Sequence, residues 1–330
     1  MAYTVNSSFN KFIDVAVNLN PTRTAQARQS RNWLVQQIED LASSGKIPPL
    51  HDEYNPMFYG SFARNTKIKP LDDIDIIVTF HAQWCTANSV EKNYIDPYQI
   101  HYKDDAFLLP KYGDNGILNS RKMIEGLKKE LGNISSYQKA DIHRNQEAVT
   151  LKLSSYEWNF DIIPAFYTTT GFFMIPDGNG AWKGTDPRID QSRVTAANKR
   201  CEGGLLPLIR LMKYWKNIYW GKSVSSYLFE NLMITWANRF FLYSTSYPIL
   251  IRNILNSLAR EILIDFNDPK GFQGNINYLD TNERIRLSSI AQQCVISVDE
   301  AIQYENAGLM SSAIDKWIEI FGQNFPAYGK

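Results

Sequence analysis

Asp73 and Asp75 stand two residues apart at the start of the run Asp73-Ile74-Asp75-Ile76-Ile77-Val78-Thr79-Phe80. Its β-branched and aromatic residues read as a buried strand. Residues two apart on a strand point to one face, so both carboxylates project together and Ile74 points away. Two neighbouring anions oppose each other's ionisation. A divalent cation removes that conflict, and hard oxygen ligands suit Mg²⁺ or Mn²⁺. Asp72 lacks the two-residue spacing and reads as a turn residue. By itself the pattern also fits a β-hairpin with an acidic turn. A further carboxylate, Asp161, lies inside the apolar run Trp158-Asn159-Phe160-Asp161-Ile162-Ile163-Pro164-Ala165-Phe166. A lone carboxylate in such surroundings is costly unless it is paired or binds metal. A buried ion pair, with Arg64 as the partner, is the structural alternative.

The elements that must position these groups follow from periodicity. Ser7 or Ser8 can cap a first helix carrying Phe9, Phe12, Ile13 and Val15. After Asn20-Pro21 a long helix runs to about Ser43, with Ala25, Trp33, Leu34, Ile38 and Leu41 among its apolar positions. Ile47-Pro48-Pro49 breaks it. Residues 81–116 are polar, aromatic and irregular, and read as a partly ordered insertion near the mouth of a site. Ile117 to Leu131 reads as a basic helix. Strands are expected at Ala148 to Leu153, Glu157 to Phe166 and Gly171 to Pro176, and a turn at Trp182 to Pro187. From about Ser192 the chain reads as helical: Val194 to Cys201, Leu205 to Tyr219, Ser225 to Phe241, Ile249 to Ile264, Glu283 to Tyr304 and Leu309 to Phe321.

Gly60-Ser61 followed by a strand with Asp73-x-Asp75 resembles the nucleotidyltransferase superfamily of the polymerase β type. The resemblance implies that the Gly60-Ser61 backbone and hydroxyl hold a triphosphate, where a side chain would keep the amides away. It also implies that the acids bind two metal ions, with Asp161 as the third acid on a neighbouring strand. In the second half, Leu211-Met212-Lys213-Tyr214 and Ser225-Ser226-Tyr227 resemble the helical lobe of cyclic GMP-AMP synthase. There the matching Lys213 and Ser226 would touch the triphosphate and Tyr227 would stack on a base. Read singly, Lys213 could be a surface lysine, Ser225 a plain helix cap and Tyr227 a core residue. Asp268-Pro269 and the segment from Trp317 to Pro326 resemble the bacterial relatives, the CD-NTases of anti-phage signalling systems.

The fold so implied is α+β and two-lobed. Residues 1–190 form a polymerase-β-type sheet lobe with an N-terminal spine helix, and residues 191–330 a helical lobe that completes the nucleotide pocket. The activity implied is joining nucleoside triphosphates into a cyclic di- or trinucleotide second messenger, with pyrophosphate released and two Mg²⁺ or Mn²⁺ ions per site. A downstream effector would be reached through the product. The runner-up is a linear-product transferase, of the oligoadenylate-synthetase or RNA-tailing kind.

Composition narrows the partners. Lys and Arg number 35 against 34 Asp and Glu, a formal charge of +1. That excess is too small to indicate long nucleic acid as an obligate partner. The cysteines, Cys85, Cys201 and Cys294, are scattered and odd in number, which fits a reduced compartment. They form no spaced cluster with the histidines, so the zinc thumb of the DNA-activated animal enzyme is not expected. No apolar run reaches the ~18–20 residues of a membrane span, and the N-terminus lacks a signal pattern. The expectation is a cytoplasmic monomer.

Overall fold

The computed structural model describes residues 3–89, 97–240 and 246–330. The chain is α+β, with a mixed sheet in the first half and a helical assembly in the second. Helix α1 (Val5–Phe12) is capped by Thr4, whose side chain and that of Ser7 each accept from the other's backbone N–H. The cap therefore falls upstream of the expected serines. A short π-helical stretch, Ile13–Val17, leads to α2 (Pro21–Ser43), where Asn20 accepts from the Arg23 amide and Pro21 begins the helix. Ala27, Leu34 and Ile38 make its narrow buried stripe, while Trp33 is exposed.

The sheet is built from β1 (Met57–Tyr59), a one-turn helix α3 (Gly60–Ala63), and β2 (Asp73–Phe80). Strands β3 (Thr86–Ser89), β4 (Tyr98–His101), β5 (Gly113–Asp114) and β6 (Ile117–Leu118) come next, then α4 (Ser120–Gly132). The remaining strands are β7 (Asp141–Asn145), β8 (Ala148–Lys152), β9 (Asn159–Tyr167), β10 (Phe173–Pro176) and β11 (Trp182–Thr185). The main path runs β1-β2-β9-β10-β11-β4-β6-β5, with β8 also on β9.

Three expectations need correction. The described part of the 81–116 segment leaves the end of β2 remote from Asp73 and adds strands at the far edge of the sheet; residues 90–96 lie outside the described residues. Trp182–Thr185 is a strand rather than a turn, because its backbone pairs with β10 and β4. Its turn-like composition could not reveal those long-range partners. The expected basic helix begins only at Ser120, capped by Asn119, since Ile117 and Leu118 pair with β4.

Helices α5 (Pro187–Arg200), α6 (Leu205–Tyr219), α7 (Ser226–Phe240), α8 (Tyr247–Glu261), α9 (Thr281–Asn306) and α10 (Met310–Phe321) follow. Phe241, expected to end α7, lies outside the described residues. Two cores result. One packs α2, α4 and one face of the sheet around Trp158, Phe160 and Trp182; the other packs the helices around Trp215, Trp236 and Trp317. Helix α1, expected with residues 1–190, packs in the helical core. Its Phe9 stacks on Tyr247 and meets Trp317 and Phe325 edge-on. The expected division at residue 190 falls in the first turn of α5, so one helix carries the chain between the lobes.

Candidate active site

The acids are positioned by strand register. β2 and β9 run parallel, and Asp75 lies opposite Asp161; β8 runs antiparallel to β9 and sets Thr150 opposite Asp161. Neighbouring strands stand about 4.8 Å apart. Asp75, Asp161 and Thr150 thus form one row, with Asp73 two residues back on the same face as Asp75. The Thr150 hydroxyl donates to Asp161 Oδ1 at 2.6 Å. Arg64 does not pair with Asp161.

Gly60 has φ +73°, and a Cβ there would lie far inside contact with Asp75 Oδ2. Glycine is therefore required both by the backbone conformation and by the carboxylate packed against it. Gly60→Ala is expected to displace Asp75 and lower turnover by about 10²-fold, the scale of an ångström-level misplacement. Steady-state kinetics beside circular dichroism checks this, and full activity would show that Asp75 need not hold its place.

Burial raises the Asp75 carboxyl to about 7, and the charges of Asp73 and Asp161 add to the effect. Asp73 is also raised, by burial, against the opposing pull of Lys67. Lys67 bridges Asp72 and Asp73 with its ammonium. Among the described residues, no three acidic, histidine or cysteine side chains enclose a common point. The donor set nevertheless fits hard divalent cations: oxygen ligands on adjacent strand positions, with one carboxylate raised by burial and then by its anionic neighbours. Lys67 holds Asp73 Oδ1 and so competes with a cation for that carboxylate.

The pH dependence follows from Asp75. Its folded value lies above its unfolded one, so its contribution favours folding most at low pH and is lost as pH rises through about 7. Without divalent metal, the melting temperature of the native protein should therefore fall relative to Asp75→Asn between about pH 4 and 7. Parallel curves for the two proteins would contradict the burial of that charge.

The helical lobe completes a cavity of about 350 Å³ whose walls include Ser61, Asp73, Asp75, Lys213, Ser226 and Tyr227. Six of the eight candidate residues thus meet in one space. Gly60 lies behind Asp75, and Asp161 stands beside it across the strand pair. The two serines at the start of α7 divide their roles: Ser225 Oγ accepts from the Leu228 amide at 3.1 Å, while Ser226 is exposed to the cavity. Lys213 is buried, donating to Glu230 Oε1 at 2.8 Å and to the Thr66 carbonyl at 3.1 Å. An ammonium has three protons, so one remains for an anion in the cavity. The Tyr227 hydroxyl donates towards Asp268 (2.6 Å) and Asp190 (3.1 Å), and Lys270 Nζ sits 4.4 Å from its ring centroid. Burial, then the bond to Asp268, keeps that phenol protonated well above its ordinary range.

Sequence reasoning missed the residue that ties these groups together. Glu230 is 3 % exposed and takes Arg64 Nε at 3.1 Å as well as Lys213. Burial alone would raise its pKa, but the two cations hold it below the usual range. Glu230 interrupts the apolar run Leu228-Phe229-Glu230-Asn231-Leu232-Met233-Ile234. That is the signal which singled out Asp161, and it would have found Glu230 too.

A sheet carrying adjacent acids, a glycine-serine turn beside them and a helical lobe closing the cavity define a nucleotidyltransferase. No protein-family profile matches the chain. A probable cyclic nucleotide synthase of Bacillus cereus (strain VD146) is 40% identical over 99% of this chain and 99% of its own length. The cyclic AMP-AMP-AMP synthase of an Acinetobacter species (strain ATCC 27244 / 9458) is 22% identical over 96% of this chain and 84% of its own. The fold is similar to that of Escherichia coli MS115-1 CdnC with ATP, at TM-score 0.73 and 16% identity, covering 97% and 98% of the two chains. It is also similar to Vibrio cholerae DncV, the cyclic AMP-GMP synthase, with the linear intermediate 5′ pppA(3′,5′)pG. That match has TM-score 0.70 and 12% identity over 99% and 98%. The chain belongs to the bacterial CD-NTases, the nucleotidyltransferases that synthesise cyclic oligonucleotides.

Proposed function

We propose that this cavity holds nucleoside triphosphates and joins them by successive phosphodiester bonds into a cyclic di- or trinucleotide that serves as a second messenger in anti-phage defence. The observation that carries this reading is the meeting of Asp73 and Asp75 with Lys213, Ser226 and Tyr227 in one cavity. A pocket walled by both lobes suits a retained dinucleotide, whose ring closure is intramolecular and competes well with release.

Asp73, Asp75 and Asp161 would hold two Mg²⁺ or Mn²⁺ ions. The bound ions would supply a lowered pKa for the attacking ribose hydroxyl and neutralise the triphosphate and the leaving pyrophosphate. Gly60 leaves room for Asp75 to stand at its post. Lys213, held by Glu230, offers its remaining proton to the triphosphate, a charge-assisted bond. Ser226 offers a hydroxyl at the start of α7, where amides favour anions. Tyr227, its hydroxyl anchored by Asp190 and Asp268, presents its ring to a base.

Among the described residues no helix is long and apolar enough to cross a membrane. A cytoplasmic monomer that needs neither DNA nor RNA, and reaches its effector only through its product, fits the balanced charge. The test is incubation with all four triphosphates and Mg²⁺ or Mn²⁺, phosphatase treatment, and mass spectrometry. A cyclic product has no terminal phosphate and keeps its mass. A ladder of species that all lose phosphate would establish a linear-product enzyme instead.

A further inference from the structure

A second, rear cavity, of about 200 Å³, lies where the start of α2, the α3–β2 loop and α6 meet. Its walls include Arg28 from α2, Arg210 from α6, and Asn65 and Lys67 from the loop. No carboxylate lines it. Elsewhere the arginines of this protein commonly meet an acid: Arg23 with Glu157, Arg188 with Asp186, Arg252 with Asp299 and Arg284 with Asp265. Arg210 instead spends its donors on neutral oxygens, Nε on Asn18 Oδ1 and Nη1 on the Asn65 carbonyl, both at 2.7 Å. Arg28 has no carboxylate within salt-bridge distance among the described residues. Two guanidiniums without countercharge around a concave space attract an anion, and their planar forks match phosphate oxygens.

Lys67 joins the two cavities. It belongs to the walls of both, and its ammonium bridges Asp72 and Asp73 on the side of the acids. A lysine on a flexible four-carbon stem can turn from one set of anions to another.

We propose that the rear cavity binds a small phosphate anion, inorganic phosphate or pyrophosphate, between Arg28, Arg210 and Lys67, and that this anion draws Lys67 away from Asp73. The first half stands on the cavity alone; the second rests on Asp73 being a metal ligand. Pyrophosphate would come from the reaction itself and inorganic phosphate from the surrounding solution. The site would thus let phosphate status set how readily the acids accept a cation.

Isothermal titration of the full-length protein with phosphate and, separately, with pyrophosphate tests the first half, without divalent metal and at fixed ionic strength. Arg28→Gln, which breaks no side-chain bond among the described residues, should weaken binding about tenfold, and Arg252→Gln, on α8 and outside both cavities, should leave it unchanged. Arg210→Gln should weaken it further, with the melting temperature as a control for folding. The arms separate the two anions, and binding of either supports the site. If Ser226→Ala weakens binding and Arg28→Gln does not, the anion sits in the front cavity and the proposal fails. It fails equally if duplex DNA binds while neither small anion does. Mn²⁺ binding followed by electron paramagnetic resonance tests the second half. Saturating phosphate should tighten Mn²⁺ severalfold in the native protein and not in Arg28→Gln. Phosphate binding with unchanged Mn²⁺ affinity would refute the coupling through Lys67, whereas no Mn²⁺ binding at all would refute the metal reading of Asp73.

Discussion

Replacing Asp73 and Asp75 together with Asn is expected to lower nucleotide transfer by at least ~10²–10³-fold, the scale for losing a major electrostatic contributor. Asn keeps the shape of each side chain and removes the charge a cation needs. The fold should survive, because Ile74, Ile76 and Val78 hold β2 in the core and neither carboxylate contributes to it. The structure adds a signature that activity alone lacks. Asp75 is poorly stabilised as an anion in its buried place, so the metal-free double variant should melt no lower than the native protein at pH 8. Lys67 keeps Asp72 as its partner. Near-normal turnover with unchanged circular dichroism would sink the assignment of these acids.

Glu230→Ala is expected to destabilise the protein by about 3–5 kcal/mol, the cost of breaking a buried ion pair from one side. The change strands Arg64 and Lys213, both largely withdrawn from water. It also removes a link between the lobes, since Arg64 follows α3 in the sheet lobe while Glu230 and Lys213 sit on α7 and α6. Lys213 should then lose its fixed position, and the triphosphate concentration for half-maximal rate should rise. Denaturant unfolding beside nucleotide titration separates the two effects. A stability change under ~1 kcal/mol would mean that the three groups are solvated and that Glu230 does not hold Lys213.

Much of the site was legible in the order of residues. The two-residue period of a strand put Asp73 and Asp75 on one face and excluded Asp72, and the cost of burying a lone carboxylate marked Asp161. These inferences use local periodicity and the chemistry of single residues, which require no knowledge of distant partners. The same logic applied to Glu230 would have worked, because it too interrupts an apolar run.

Other features depend on which distant segments meet. The strand at Trp182–Thr185 exists because β10 and β4 supply its backbone partners, and a turn-like composition carries no trace of them. Gly60 was expected to clear space for a phosphate; what the fold shows is the space it clears for Asp75, fifteen positions along the chain. Arg64 found Glu230 across 166 positions rather than Asp161. The amino-acid sequence by itself marked the candidate acids, their shared face and the division into sheet and helices, because those follow from residue type and short-range period. Only the tertiary structure decided which charges neutralise one another and which stay free, because ion pairs form between whatever the packed lobes bring within a few ångströms.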